Sequence, residues 1–237
     1  MCVFRVLGEH NDGTFAEQVV VAADSLAPKP AHLSWEESAA FGLTYLTAWR
    51  MLMTRGGLRP GETVLIHGIG GGVSLACLQL AKVAGCRVIV TSRSQEKLQR
   101  AGELGAEGLL PADDQVARAV RGMTGKRGAD LVVDSVGEAT WMQSLKAAAK
   151  GGRIVTCGAT SGPNPKEEIR LIFWNQLSII GSTMGSREDW RQLMETVTAR
   201  RLNPVVDSVV PLADGRSAYQ RLEEAEQFGK IVLSIDG

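Results

Sequence analysis

Short runs of aliphatic and β-branched residues alternate with longer amphipathic stretches between about residues 63 and 182. The runs lack polar alternation, which is typical of strands that are covered on both faces. They occupy residues 63–67, 87–91, 130–134, 153–157 and 177–181, with a weaker run at 108–110. The stretches between them have helical character and cover residues 72–84, 95–104, 116–123, 139–149 and about 167–173. This alternation predicts an α/β fold, a doubly wound parallel sheet with helices on both faces.

The two ends of the chain have a different pattern. Residues 13–21 predict a strand, which is followed by a turn at Pro28 and Pro30. Residues 208–210 and 230–235 predict two more strands, with a helix over 216–227 between them. We expect the ends to be pieces of a second, antiparallel unit with the parallel sheet inserted between them, because they are too small to form a core alone.

A glycine cluster follows the first predicted strand and opens the helix after it. It comprises Gly68, Gly70, Gly71 and Gly72. Small residues let a backbone approach a pyrophosphate closely, and a helix N-terminus supplies free N–H groups and the positive end of a dipole. The strict G-x-G-x-x-G spacing is not met, because the frame centred on Gly71 has Ile69 first and Ser74 last. The segment predicts a dinucleotide site, and the alternative is a glycine-rich turn without a ligand.

The second predicted strand leads into Ser92 and Arg93. A carboxylate at this point would bind the ribose hydroxyls of NAD and repel a 2′-phosphate. A hydroxyl and a guanidinium instead suit a phosphate, through hydrogen bonds and charge. The pair therefore favours NADP over NAD. The alternative is that Arg93 is only a solvated surface charge.

Several further motifs belong to one enzyme superfamily. They are Gly13-x-Phe15-Ala16-Glu17 and residues 39–49, 58–68, 97–106, 128–130, 134–137, 151–155 and 229–233. Through them the chain resembles the medium-chain dehydrogenase/reductase superfamily, which includes zinc alcohol dehydrogenases and zinc-free quinone oxidoreductases. The resemblance implies a Rossmann domain over residues 45–185, a remnant of a GroES-like β domain over 1–44 and a segment, 186–237, that returns to that remnant. It also implies that most of an N-terminal catalytic domain is missing.

The same resemblance places a dinucleotide on the chain. Thr47, the loop 158–160 and residues 182–184 would border the nicotinamide. The implied cofactor-binding residues are Thr47, Gly70, Gly71, Gly72, Val73, Ser92, Arg93, Lys97, Val136, Gly158, Ala159, Thr160, Ser182, Thr183, Met184 and Lys230. Tyr45 and Thr47 are weak catalytic candidates. Tyr45 is either a hydrogen-bond donor near the substrate carbonyl or an aromatic side chain packed on the domain seam, and no acid–base pair stands out.

A metal site is not expected. In zinc alcohol dehydrogenases a cysteine before the nucleotide fold ligates the catalytic metal, and alignment on Thr47 places Leu43 at that position. Cys2 matches the last cysteine of the family's structural zinc lobe, but a single ligand does not hold zinc. The four cysteines, which include Cys77, Cys86 and Cys157, form no C-x-x-C pair. They are expected to be reduced structural thiols.

Composition narrows the classes of partner. The 26 basic residues equal the 26 acidic residues in number, so no basic excess exists for nucleic acid or an anionic membrane. Hydrophobic residues make up 44% and charged residues 22%, which excludes a disordered or fibrous chain. No apolar run reaches about 18 residues and no secretory leader is visible, so a soluble, cytoplasmic protein is expected.

These features predict a zinc-independent, NADP(H)-dependent oxidoreductase. Its small-molecule substrate would be a quinone, an enone or another activated carbonyl compound, with saturation of a conjugated double bond as the favoured form. Two alternatives stay open: a zinc-type alcohol dehydrogenase, which Leu43 argues against, and a dinucleotide-binding module without catalysis. Residues 177–182 form the last strand of the predicted sheet, and its apolar edge predicts a homodimer. The alternative is a monomer in which the segment after residue 200 covers that edge.

Overall fold

A parallel sheet of six strands lies at the centre of the fold. The computed structural model describes residues 7–9 and 12–235. The strands are β1 (Thr63–Ile66), β2 (Arg87–Ser92), β3 (Gly108–Pro111), β4 (Ala129–Val133), β5 (Ala148–Thr156) and β6 (Ser178–Gly181). They lie side by side in the order β3-β2-β1-β4-β5-β6. The predicted α/β class with a parallel sheet is confirmed.

Helices connect the strands and cover the sheet. They are α1 (Trp35–Trp49), α2 (Gly72–Val83), α3 (Gln95–Glu103), α4 (Val116–Met123), α5 (Trp141–Ala147), α6 (Ile169–Trp174), α7 (Arg187–Arg200) and α8 (Gly215–Glu223). A π-helical turn, Arg50–Arg55, continues α1, and short 3-10 helices cover Ala23–Ser25 and Leu212–Asp214. Over the part of the chain that the structure describes, none of the helices has the length and apolar character needed to cross a membrane.

The core lies on both faces of the sheet. Val64 and Ile66 of β1 pack into one cluster with α1, α2, α3 and α7, whereas Leu65 between them packs into a second cluster with α4 and α5. All three side chains are fully buried. The pattern explains why apolar residues follow one another in this strand without alternation, because side chains of a strand point alternately to the two faces and both faces are covered.

Two helices that the sequence pattern did not predict, α1 and α7, begin at capping boxes. Ser34 Oγ accepts a hydrogen bond from the Glu37 N–H at 3.1 Å, and Glu37 accepts one from the Ser34 N–H at 2.7 Å. Ser186 and Asp189 form the same reciprocal pair at the start of α7. Each box satisfies two backbone donors that would otherwise have no acceptor at the helix start.

The chain ends correct two further expectations. Residues 13–21 form no strand, and Val20 is 99% exposed, so this segment has neither a strand partner nor a buried face. Strands β7 (Val206–Pro211) and β8 (Lys230–Ser234) form a separate two-stranded sheet, but they are parallel rather than antiparallel. Helix α8 lies between them as the crossover that a parallel pair requires.

The register of the strands brings four loops to one edge of the sheet. Ile66 pairs with Val90 and with Val133, and Val133 pairs in turn with Val155. The strand order reverses between β1 and β4, because the chain runs outward from β1 through β2 to β3 before it returns. Ligands of open α/β sheets bind at the carboxyl ends of the strands at such a reversal. The candidate site is therefore expected at this edge.

Candidate dinucleotide-binding site

The loop between β1 and α2 is the centre of this edge. Gly68 and Gly70 have φ angles of 68° and 121°, a region that side chains other than glycine rarely adopt. The Ile69 N–H donates to the Thr91 carbonyl oxygen of β2 at 2.8 Å, which holds the loop against the sheet. Gly71 is the N-cap of α2, and no side chain caps this helix. The start of α2 therefore offers backbone donors to an external acceptor.

Two lysine side chains flank the glycine loop. A Cβ atom added at Gly70 would lie 2.9 Å from Lys97 Cδ, and one added at Gly72 would lie 2.8 Å from Lys230 Cδ. At Gly71, by contrast, an added Cβ would meet only Ser74 Oγ, at 3.6 Å. The loop is thus closed on two sides by cationic side chains and open at its middle glycine.

The positive charge extends to the end of β2. Arg93 is exposed, and the buried Ser92 hydroxyl accepts a hydrogen bond from the Ser94 N–H at 3.1 Å. Lys97 Nζ donates to the Ala225 carbonyl oxygen at 2.5 Å. Burial lowers the pKa of Lys97; Asp207 opposes this effect, and the positive charges of Arg221 and Arg93 add to it. A positively charged neighbourhood beside a glycine loop suits a phosphate group.

The loop after β4 is held by Asp134, whose role the sequence motif did not reveal. Its buried carboxylate accepts hydrogen bonds from the backbone N–H groups of Val136 (2.9 Å) and Gly137 (3.1 Å). It also accepts from the hydroxyls of Thr140 and Ser144, at 2.8 Å and 2.6 Å. The aspartate at the end of a buried strand was the available signal, because a carboxylate there requires several donors.

The loops after β1, β4 and β5 meet at the predicted residues. A Cβ atom at Gly68 would lie 3.1 Å from Val136 Cγ2, and one at Gly137 would lie 3.1 Å from Ala159 Cα. The Thr160 N–H donates to the Ser135 carbonyl oxygen at 3.2 Å. Gly158, Ala159 and Thr160 are exposed, so they line an accessible surface at the carboxyl edge of the sheet. Val73 lies in the first turn of α2, beside the same loops.

Thr47 and Met184 meet at the other end of this edge. Thr47 is buried on α1, and its hydroxyl donates to the Leu43 carbonyl oxygen at 2.7 Å and lies 3.8 Å from Met184 Sδ. The Ser182 N–H donates to the Thr156 carbonyl oxygen at 2.8 Å, which continues the sheet pairing beyond β6. Thr183, between Ser182 and Met184, is exposed. The structure thus places Thr47 beside Met184, two of the residues that were predicted to border the nicotinamide.

The contacts of Tyr45 favour packing over catalysis. Its hydroxyl donates to Gln79 Oε1 on α2, and its ring lies 4.8 Å from that of Phe41 between centroids. Burial raises the pKa of this phenol. A buried phenol that already has a hydrogen-bond partner is poorly placed to donate to a substrate carbonyl.

His67 lies at the end of β1 under the glycine loop. Its Nδ1 is 3.2 Å from the Thr91 hydroxyl, whereas its Nε2 is buried without a hydrogen-bond partner. Burial lowers the pKa of the imidazole, and the negative charge of Asp134 opposes this effect. The ring is therefore a packed, neutral side chain that supports the loop from below.

These residues fit a dinucleotide. The glycine loop, uncapped helix start and flanking lysines suit a pyrophosphate, and the Thr47–Met184 contact lies at the end where a nicotinamide would be placed. Leu43, which stands at the expected zinc-ligand position, is 48% exposed on α1. Over residues 7–9 and 12–235, no group of three histidine, cysteine or carboxylate side chains is arranged to hold a metal ion.

Comparison with known proteins identifies the family. The sequence model described as zinc-binding dehydrogenase matches residues 72–199, which is more than half of the chain. The chain belongs to the zinc-binding dehydrogenase family. This confirms the predicted relation to the medium-chain dehydrogenases and reductases, whose named members are oxidoreductases.

Three relatives illustrate the range of this family. A zinc-type alcohol dehydrogenase-like protein of Schizosaccharomyces pombe is 36% identical over 97% of this chain and 68% of its own length. The crystal structure of an NAD-dependent alcohol dehydrogenase has a TM-score of 0.93 and 44% identity, over 98% of this chain and 68% of that one. A 2-octenoyl-CoA carboxylase reductase in complex with NADP and 2-octenoyl-CoA has a TM-score of 0.86 and 30% identity, over 95% of this chain and 55% of that one. The chain thus spans 55% to 68% of the length of these proteins.

Proposed function

We propose that the chain belongs to a zinc-independent, NADP(H)-dependent oxidoreductase that reduces a quinone, an enone or another activated carbonyl compound. The observation that carries this proposal is the cationic glycine loop: Gly71 caps α2 without a side-chain acceptor, and Lys97 and Lys230 lie on either side. The similar 2-octenoyl-CoA carboxylase reductase is in complex with NADP and 2-octenoyl-CoA. That complex supports a conjugated double bond as the group to be reduced.

The chain's residues bind and orient the reactants. A bound NADPH would supply the hydride for reduction of a conjugated acceptor, which would take up the accompanying proton from water. Thr47 and Met184 would fix the ring at one end, and the start of α2 would hold the pyrophosphate at the other. The main contribution of such a site to catalysis is to hold the two reacting carbons in contact.

The choice of NADP over NAD rests on Arg93. Its guanidinium is exposed just beyond β2, beside the Ser92 hydroxyl and near Lys97, which suits a 2′-phosphate. The parent chain and the Arg93→Ala variant should each be titrated with NADPH. The variant is expected to have a Kd about tenfold higher, as for the loss of a hydrogen bond to a charged group. The Kd of NADH should stay nearly unchanged. Arg118→Ala, at an exposed position on α4, is the matched control, and equal losses for both cofactors would contradict the assignment.

Turnover separates the proposed enzyme from a non-catalytic module. NADPH consumption should be measured with a small enone, a benzoquinone, a 2-enoyl thioester and an aldehyde. Reduction of at least one conjugated acceptor is expected. Tight NADPH binding with no turnover of any acceptor would favour a dinucleotide-binding module instead.

Metal analysis separates the proposal from a zinc-type alcohol dehydrogenase, which the 36% identity to a zinc-type alcohol dehydrogenase-like protein makes the second candidate. Leu43 cannot ligate a metal. We expect well under one zinc ion per chain in the purified protein, and turnover that survives a chelator. Stoichiometric zinc that resists mild chelation would contradict zinc independence.

A cytoplasmic location is part of the same proposal, and the free thiols of Cys77, Cys86 and Cys157 suit a reducing compartment.

A further inference from the structure

The segment between β6 and α7 is fastened to α1 and its π-helical turn at both ends. Arg55 Nε donates to the Gly181 carbonyl oxygen at 3.0 Å, at the end of β6. At the other end, Gly185 lies so close to Leu46 that any added side chain would collide with it. Between these two points lie residues 182–184, which were predicted to border the nicotinamide.

Asp189 makes most of the contacts that attach the α7 end of this segment to the π-helical turn. Its buried carboxylate accepts a hydrogen bond from Arg50 Nη1 at 2.7 Å and one from the Thr54 hydroxyl. It also accepts from the Ser186 N–H at 2.6 Å, while its own N–H donates to Ser186 Oγ at 2.9 Å. The Asp189 side chain therefore completes the capping box at the start of α7 and also binds the π-helical turn after α1.

The π-helical turn supplies the partners on the opposite side. Arg50 and Thr54 both belong to the turn Arg50–Arg55, which follows α1 directly after Thr47 and its neighbours. Turns of this kind occur often at functional sites, because they displace side chains relative to a regular helix. Here two of the polar side chains of the turn, Arg50 and Thr54, reach the same carboxylate.

Met184 requires such support. Its φ angle of 46° lies in the left-handed region, which a side chain other than glycine rarely adopts unless its surroundings hold it. The only side-chain hydrogen-bond contact that its sulfur makes in the described part of the chain is with the Thr47 hydroxyl, at 3.8 Å. This contact is weak and cannot fix the loop by itself.

We propose that Asp189 is a positioning residue, which clamps residues 182–186 onto α1 and thereby sets the distance between Thr47 and Met184 at the nicotinamide end of the site. Within the described residues, Asp189 forms no hydrogen bond with Thr47 or with Met184. It acts through Arg50, Thr54 and Ser186. The inference rests on the proposed function, because it assigns the clamp to the nicotinamide end of a dinucleotide site.

The test compares two ligands that share the adenine end. NADPH reaches the whole site, whereas 2′,5′-ADP lacks the nicotinamide half. Asp189→Asn is expected to raise the Kd of NADPH about tenfold, since a small misplacement of a positioned group has effects of this order or larger. The Kd of 2′,5′-ADP should stay within about twofold, because the glycine loop keeps its support from β2.

Two further variants keep this test informative. Glu188→Gln makes the same chemical change one residue earlier in α7, at an exposed carboxylate that contacts Arg191, and both Kd values should stay unchanged. Thr54→Val removes only one hydroxyl from the clamp, so it serves if Asp189→Asn does not fold. Its effect should be smaller and in the same direction.

Amide hydrogen exchange tests whether Asp189 holds residues 182–186 in the ligand-free protein. In Asp189→Asn, or in Thr54→Val, the peptide that covers residues 182–186 should exchange faster than in the parent, and the peptide over residues 66–75 should not change. Unchanged exchange at 182–186, or equal losses of affinity for both ligands, would overturn the clamp. A parent chain that binds neither ligand would instead contradict the proposed function, with the exchange result still reporting whether Asp189 holds the loop.

Discussion

The backbone N–H of Gly229 donates to the carbonyl oxygen of Gly70 at 2.9 Å. This bond fastens the turn before β8 to the middle of the glycine loop, although the two residues lie far apart in the chain. Lys97 makes a second connection, because its ammonium group donates to the Ala225 carbonyl oxygen in the same turn. The C-terminal segment therefore contributes to the candidate dinucleotide site.

Asp207 holds this turn in place, and its removal is expected to destabilise the fold. The buried carboxylate accepts hydrogen bonds from Arg221 Nε at 2.9 Å and from the Phe228 N–H at 2.8 Å. Asp207→Ala should lower the free energy of unfolding by about 2 kcal/mol, because the Phe228 donor and the guanidinium lose their partner. Urea unfolding measures this change. Glu226→Ala, which removes an exposed partner of the same Arg221, should cost at most about 0.5 kcal/mol. Equal effects would contradict the anchoring role.

The glycine loop allows binding to be separated from folding. A side chain added at Gly71 would meet little of the protein, so Gly71→Val should fold. It should nevertheless obstruct the approach of a pyrophosphate. We expect NADPH binding to fall at least about a hundredfold, as for the loss of several hydrogen bonds to a charged group. Gly72→Ala is the comparison, because its Cβ atom would lie 2.8 Å from Thr44 Cγ2 and must disturb the packing of α1. Unimpaired binding by a folded Gly71→Val variant would remove the loop from the site.

The sheet could be predicted because burial on both faces leaves a local trace. Val64, Leu65 and Ile66 are consecutive and apolar, and no partner strand needs to be known to recognise such a run. The strand predicted over residues 13–21 is wrong because β-branched residues indicate a strand only where a partner is present. The parallel pairing of β7 with β8 also depends on a distant partner, so the sequence pattern could not decide its direction.

The candidate site could be predicted only where one segment carries the chemistry. The glycines between β1 and α2 indicate their ligand by local backbone geometry alone. The clamp could not be found in this way, because Arg50 and Asp189 are 139 residues apart. The Ser186-x-x-Asp189 spacing was a visible sign of a helix start, but its second contact with Arg50 and Thr54 arises only when the two helices pack.

His67 predicts a loss of stability in mild acid. Burial lowers the pKa of this imidazole in the folded protein below its unfolded value of about 6.5. Below that pH the unfolded chain binds a proton that the folded chain excludes, so the stability contribution is present above about pH 6.5 and is lost as the pH falls. The parent should therefore lose up to about 1.4 kcal/mol per pH unit through this residue.

The variant His67→Leu should remove that contribution from the slope between about pH 5 and pH 6.5. Chemical unfolding at a series of pH values gives both slopes. Thr91→Val removes the neighbouring hydroxyl and leaves the imidazole buried, so it should keep the slope of the parent. Identical slopes for the parent and His67→Leu would mean that the ring is not the group responsible.

We propose that the exposed edge of the sheet forms the seam of a homodimer. Strand β6 is the last in the sheet order, and Phe173, Trp174 and Ile179 on and before it are exposed. Among residues 201–235, β7 and β8 pair with each other and contact α1 rather than β6. An uncovered apolar edge with free backbone groups pairs readily with another strand, and pairing with a second copy across a two-fold axis closes the assembly.

In the proposed dimer, Ile179→Lys is expected to abolish association and leave a monomer. A lysine on β6 would lie close to its own copy across the axis, where like charges repel and the apolar seam is broken. Val209→Lys makes the same change at an exposed position on β7 and should leave the dimer intact. Sedimentation velocity at tens of micromolar distinguishes the two states, and circular dichroism checks that both variants stay folded. A parent chain that sediments as a 25.4 kDa monomer, or a dimer that survives Ile179→Lys, would show that β6 is not the seam.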